Sequence, residues 1–228
     1  MQQLGETPLF KNQREMFPDP KAAYDQGLLA VSREINTEML FESYSFGIFP
    51  WPHEGYENLW FCPDERGVLL FKELKFSKTL KKLLRQNTFR ITFNESFNQV
   101  IDECAVAKRK EQDGTWITDD ILTTYKIFHK MGYAHSVECW QNEELVGGMY
   151  GVYVAGVFSG ESMFFKTTGA SKVALLSMIE LLQKNGQTWM DIQMVTPFVE
   201  SIGGKYVEKS EYLEMLAEQK KQAKKLFF

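Results

Sequence analysis

The stretch Leu145 to Phe165, "LVGGMYGVYVAGVFSGESMFF", limits the possible folds of this chain more than any other part of it. From Leu145 to Gly160 it carries no charge, yet it is shorter than the roughly 20 apolar residues of a membrane-spanning helix, and glycines interrupt it repeatedly. A buried β-hairpin satisfies both facts. The preceding "HSVECWQ" and the turn signal at Asn142 to Glu144 extend the hairpin into a set of antiparallel strands. The ribbon then runs into a single carboxylate, Glu161. A charge in an apolar strand is costly to bury unless it is paired, hydrogen-bonded or functional.

Around this ribbon the patterning alternates. "SKTLKKLLRQN" reads as a helix capped by Ser77, "FRITF" as a strand, "ESFNQVIDECAVA" and "DDILTTYKIFHKMG" as helices, and Ser171 to Lys184 as a helix before the strand "TWMDIQM". Nearer the start, "TEMLFESYSFG" reads as a helix capped at Thr37, and "SEYLEMLAEQKKQAKKLFF" as a helix that runs to the end. The order of elements defines an α+β protein with a mixed or largely antiparallel sheet flanked by helices, divided near residue 67 into a small unit of residues 1–67 and a larger one of 68–228. A hydrophobic content of 44% supplies the core, and a net charge of −4 confines any nucleic-acid contact to a local basic patch. Cys62, Cys104 and Cys139 show neither chelating nor redox spacing, as expected of small apolar residues in a reducing cytosol. The start of the chain lacks a basic segment followed by an apolar run, so a secretory signal is not expected.

The candidate chemistry is dispersed. Glu161 and Met163 share one strand face, as do Asp191 and Gln193 in "MDIQ". The acids are either structural or catalytic. Met149, Met163, Leu175 and Met190 either pack in the core or line a pocket for an apolar side chain. In "KTTGASK", Gly169 and Ser171 precede a helix whose free amides suit an oxygen-rich group. Trp51 and Trp116 stand beside turns where an indole can stack on a base. Lys78, Lys81, Lys82 and Arg85 form a basic helix face, and Lys108 to Lys110 add further charge. His53, His129 and His135 have no metal spacing, and Ser162 lacks the small-residue elbow of a serine hydrolase.

Read together, "FPDP", "GLLAVS", "GIFPW", "TWIT", "GYAHSVECW", "LVGGMYGV", "SGESMFF", "ASKVAL" and "DIQ" resemble, in order and over about 180 residues, the leucyl/phenylalanyl-tRNA-protein transferases. That resemblance implies a small N-terminal domain before an acetyltransferase-like domain. It also implies transfer of leucine or phenylalanine from a charged tRNA to a protein that begins with lysine or arginine, which marks that protein for degradation. Met149, Met163, Leu175 and Met190 would then line the side-chain pocket, with Trp51 and Trp116 around the terminal adenosine and Glu161, Asp191 and Gln193 as the polar center, where Glu161 would hold the amino group or a neighbouring network and Asp191 would either take the acceptor amine's proton, directly or through Gln193, or only orient the reacting groups. The expected partners are leucyl-tRNA or phenylalanyl-tRNA and proteins with a basic N-terminal residue. A cytoplasmic monomer with no cofactor, metal or membrane partner is expected. "KFSKTL", Phe198 and Arg33 depart from the family's usual residues, leaving acidic acceptors open. An acyl-CoA-dependent acetyltransferase and a tRNA- or peptide-binding module without turnover are the alternatives.

Overall fold

The computed structural model describes residues 8–52, 56–86, 88–107 and 117–228. Strand β1 (Leu28–Ser32), helix α1 (Thr37–Ser45) and strands β2 (Phe49–Pro50) and β3 (Asn58–Phe61) make the N-terminal unit, an antiparallel sheet with β3 in the middle. The cap of α1 is Asn36 rather than Thr37: its side-chain oxygen accepts the Met39 amide at 2.9 Å, and Thr37 is already helical. The helix buries Leu40, Phe41 and Tyr44.

A second sheet begins with β4 (Glu65–Leu70). There follow α2 (Lys78–Gln86), β5 (Arg90–Phe93), α3 (Phe97–Val106), α4 (Asp119–Lys130), β6 (Ala134–Gln141), β7 (Glu144–Val154) and β8 (Val157–Phe165). The chain continues through α5 (Ala170–Lys184), β9 (Trp189–Gln193), α6 (Pro197–Ser201), β10 (Lys205–Glu208) and α7 (Lys209–Lys221). The strand order is β10-β4-β9-β8-β7-β6-β5, antiparallel throughout except for β8 and β9, which α5 joins as a parallel pair. This is the expected mixed, largely antiparallel α+β arrangement. The hairpin signals hold as well. Asn142 and Glu143 at the β6–β7 turn, and Ala155 and Gly156 at the β7–β8 turn, all take positive φ, as two-residue hairpin turns require.

Strand periodicity divides the core. On β7, Tyr150, Val152 and Val154 turn toward α3, α4 and the N-terminal unit, whereas Met149 and Tyr153 join the cluster under α5. One apolar cluster thus runs from Trp60 and Leu40 of the N-terminal unit to Tyr150 of the large sheet. Cys62, Cys104 and Cys139 are buried thiols.

The C-terminal helix stops at Lys221, short of the expected run to the end. The following residues lie across the sheet instead, because side chains capture their backbone: Asn185 bonds both backbone groups of Phe227 at 3.0 and 2.9 Å, and the Tyr153 hydroxyl donates to the Lys224 carbonyl at 3.0 Å. Among the described residues, no helix is long and apolar enough to cross a membrane.

Candidate active site

Two irregularities in the sheet open a cavity. Across β7 and β8, Tyr150 pairs with Ser162 and Gly151 with Gly160, so Glu161 is the extra residue of a β-bulge. A bulge re-aims side chains, and it frees Glu161 from simple alternation. Beyond it, β8 and β9 share only one registered pair, Ser159 with Asp191, and then part. The gap is a cavity of about 260 Å³ walled by Met149, Met163, Leu175 and Met190, with Glu161, Gln193 and Trp51 along the same lining. The four apolar side chains singled out in the sequence therefore meet in one place. Gly160, Ser162, Ile192, Met194, Thr196 and Val199 complete the wall.

Glu161 is partly buried, and its Oε1 accepts the Tyr44 hydroxyl at 2.8 Å and the Gln193 Nε2 at 3.0 Å. Tyr44 gives its proton to Glu161, so in the 2.6 Å contact between the Tyr44 and Tyr125 hydroxyls Tyr125 is the donor. Burial raises the Glu161 pKa to about 8; the Tyr44 bond opposes this, and the charge of Asp191 adds to it. Burial also holds Tyr44 and Tyr125 well above the ordinary phenol range, so both remain protonated donors.

Asp191 is the opposite case. It has 0% exposure and does not line the cavity. Its carboxylate accepts Arg66 Nε at 2.9 Å and Nη2 at 2.6 Å, the Tyr212 hydroxyl at 3.0 Å, the Ser159 hydroxyl at 3.3 Å and the Gln193 backbone amide at 2.9 Å. Arg66, 1% exposed, also donates to the Gly47 carbonyl at 3.0 Å, and its guanidinium stacks on Phe49 and Tyr212. Five donors on two oxygens leave Asp191 no room to collect another proton donor, and suit it to holding neighbours still.

The remaining candidates fall elsewhere. Gly169 is the left-handed N-cap of α5, and neither it nor the buried Ser171 lines the cavity. Lys78, Lys81, Lys82 and Arg85 are exposed on α2, whose Leu83 packs against Gly169. Trp116, Lys108 to Lys110 and His53 lie outside the described residues. Among the described residues, no group of three or more His, Cys, Asp or Glu is placed to hold a metal. Arg66, Tyr44, Tyr125 and Tyr212 escaped the sequence reading. Arg66 did carry the signal that exposed Glu161, a charge next to an apolar run, in "RGVLLF".

The site thus combines an apolar recess with a carboxyl group whose pKa burial raises to about 8, the features of a candidate acid–base site. Comparison with known proteins identifies the class more closely. Residues 68–217 match the leucyl/phenylalanyl-tRNA protein transferase family, and residues 33–64 match its N-terminal domain. A leucyl/phenylalanyl-tRNA–protein transferase of Syntrophobacter fumaroxidans is 44% identical over 212 residues, covering 92% of this chain and 91% of the relative. One of Christiangramia forsetii is 42% identical over 209 residues, covering 91% and 99%. A solved structure titled L-PGS from Bacillus licheniformis overlaps 70% of this chain and 50% of its own at a TM-score of 0.38 and 14% identity, a likeness on which nothing rests. The chain belongs to the leucyl/phenylalanyl-tRNA protein transferase family and is a transferase enzyme.

Proposed function

We propose that the protein takes leucine or phenylalanine from the charged 3′ end of its tRNA and joins it to the N-terminal α-amine of proteins that begin with lysine or arginine, creating a degradation signal in the cytoplasm. The observation that carries this reading is the cavity itself: four flexible apolar side chains surround a space fit for one amino-acid side chain, and Glu161 and Gln193 stand at its wall. The reaction is ester aminolysis. The acceptor nitrogen attacks the aminoacyl carbonyl carbon, the bond from that carbon to the ribose oxygen breaks, the amine loses a proton and the ribose oxygen gains one.

The acceptor's α-amine has a pKa of about 8, so a base of similar strength takes its proton with little free-energy loss. Glu161, also at about 8, meets that requirement from the cavity wall, with Tyr44 and Gln193 donating to its carboxylate. Saturated and outside the cavity, Asp191 acts as an orienting group in this scheme. Trp51 borders the cavity and is assigned with Trp116 to the terminal adenosine, Gly169 and Ser171 to nearby oxygens, and the α2 face of Lys78, Lys81, Lys82 and Arg85 to the tRNA backbone. In this reading the chain acts as a monomer, needs no cofactor beyond its aminoacyl-tRNA co-substrate, and divides near residue 67. The unit after that point is acetyltransferase-like, a reading supported by the single parallel pair β8–β9 bridged by α5.

One observation favours a second acceptor class. The Lys172 ammonium lies 4.9 Å from the center of the Phe198 ring, next in sequence to the cavity residue Val199, and this cation suits an acidic N-terminal residue. Incubation with labelled leucyl-tRNA and peptides beginning with Lys, Arg, Asp or Glu, repeated with acetyl-CoA in its place, tests the whole reading. RNase-sensitive transfer to the Lys and Arg peptides is expected. Transfer to the acidic peptides alone would reassign the acceptor, and acetylation alone or binding without product would overturn the reaction.

A further inference from the structure

The end of β9 adopts a conformation that a regular strand does not need. Gln193 has φ 51, and the Ile192 carbonyl accepts the Met194 amide at 2.5 Å, so Gln193 is the middle residue of a tight three-residue turn. A left-handed glutamine is strained and persists only where its surroundings over-determine it. Those surroundings are specific. Gly67 pairs with Gln193 and Val68 with Asp191, which leaves Ile192 as the extra residue of a second bulge. The Gln193 backbone N–H donates to Asp191 Oδ1, and the turn aims the side-chain amide of Gln193 at Glu161.

The Asp191 carboxylate is itself immobilised from three directions. Arg66 of β4 grips both oxygens, Tyr212 of α7 donates at 3.0 Å, and Ser159 of β8 donates at 3.3 Å. Arg66 is in turn fixed by the Gly47 carbonyl and by the Phe49 and Tyr212 rings. Gly47 is required here twice over: it has φ 77, and a Cβ on it would lie 2.6 Å from the Tyr212 ring.

We propose that Arg66 and Tyr212 are positioning residues of the transfer reaction: by immobilising the Asp191 carboxylate they hold the left-handed turn that presents the Gln193 amide to Glu161. The assignment rests on Glu161 being the reactive carboxyl group. It makes the order of the site depend on α7 and on the N-terminal unit, neither of which supplies a group to Asp191 by sequence proximity. When Arg66 or Tyr212 is altered, the turn relaxes, the Gln193 amide leaves Glu161, and the carboxylate loses one donor that stabilises its charge.

The test reads Glu161 directly. Its carboxyl carbon is followed through a pH titration by carbon-13 NMR, assigned with Glu161→Gln, in the full-length protein and in Tyr212→Phe, Arg66→Lys and Gln193→Ala. The groups facing Glu161 are Tyr44 of α1, Tyr125 of α4 and Gln193 of β9, with Asp191 and Arg66 acting through charge. Tyr212→Phe and Arg66→Lys leave every one of those charges in place. Both are expected to move the Glu161 titration upward, in the same direction as Gln193→Ala. Each should also lower kcat for transfer by about 10–100-fold, with KM for leucyl-tRNA within about twofold of the unaltered enzyme. Adding Tyr212→Phe to Gln193→Ala should cost nothing more, since both act through one contact. An unmoved titration in Tyr212→Phe at an unchanged melting temperature would overturn the proposal, as would losses that add in the double variant. If Tyr212→Phe melts early, Arg66→Lys carries the same comparison. A protein that transfers no leucine would sink the reaction reading and leave the titration test standing.

Discussion

Glu161 and Asp191 are carboxylates on neighbouring strands, and their partners separate their roles. Glu161 has two neutral donors and a cavity in front of it; Asp191 has a guanidinium fork and no cavity. Glu161→Gln keeps the shape and removes the base, so transfer should fall by about 10²–10⁴-fold. The pH dependence of the rate should change with it: below about pH 8 the unaltered enzyme needs both Glu161 and the acceptor amine deprotonated, and the variant only the amine. Stability should move the other way. The folded Glu161 holds its proton up to about 8, above the unfolded value, so the native state loses stability as pH rises from the ordinary carboxylate range through about 8. Glu161→Gln removes that loss and should melt higher than the parent at about pH 9 and alike at about pH 4, as thermal melts at both values will show. Glu161 and Asp191 were legible in the sequence because a charge stands out in an apolar strand, whereas Met149, Met163, Leu175 and Met190, spread over β7, β8, α5 and β9, were grouped by the family resemblance and become neighbours only in the fold. Tyr44 and Tyr125 were not legible, since a tyrosine on the buried stripe of a helix looks like core until its hydroxyl is seen to point at something.

At the level of elements, periodicity and caps located the long helices and the β6 to β8 ribbon. Neither bulge could be read, because an extra residue in a strand leaves no mark in composition; only the pairing of β7 with β8 and of β4 with β9 reveals it. β10 leaves too weak a pattern, since Val207 alone of its four residues is buried, and the end of α7 is hidden because a lysine-rich tail continues a helical pattern until Asn185 and Tyr153 bind its backbone elsewhere. The β9 bulge leads to a prediction. Gly67 lies so close beneath the Gln193 turn that an added Cβ would sit 3.0 Å from the Gln193 carbonyl carbon. Gly67→Ala should therefore displace the turn, lowering kcat for leucine transfer by at least about tenfold while the circular dichroism spectrum stays that of the parent. Full activity would mean that the position of this turn does not matter.

Across the whole molecule, the two sheets share one apolar cluster, and Arg66 ties the N-terminal unit to β9 through Gly47 and Asp191. With an overall charge of −4, attraction for RNA depends on where the positive groups lie, and the exposed face of α2 gathers four of them, Lys78, Lys81, Lys82 and Arg85. Replacing them with alanine should weaken leucyl-tRNA binding and flatten its salt dependence by about one unit of logarithmic slope for each phosphate no longer neutralised, measured by titration at several salt concentrations. The most direct measurement is a crystal structure with a stable amide analogue of leucyl-adenosine. The account predicts the leucyl side chain among Met149, Met163, Leu175 and Met190, with its carbonyl group beside Glu161 and Gln193. Density for the analogue anywhere else, with that cavity closed by the four side chains, would contradict it.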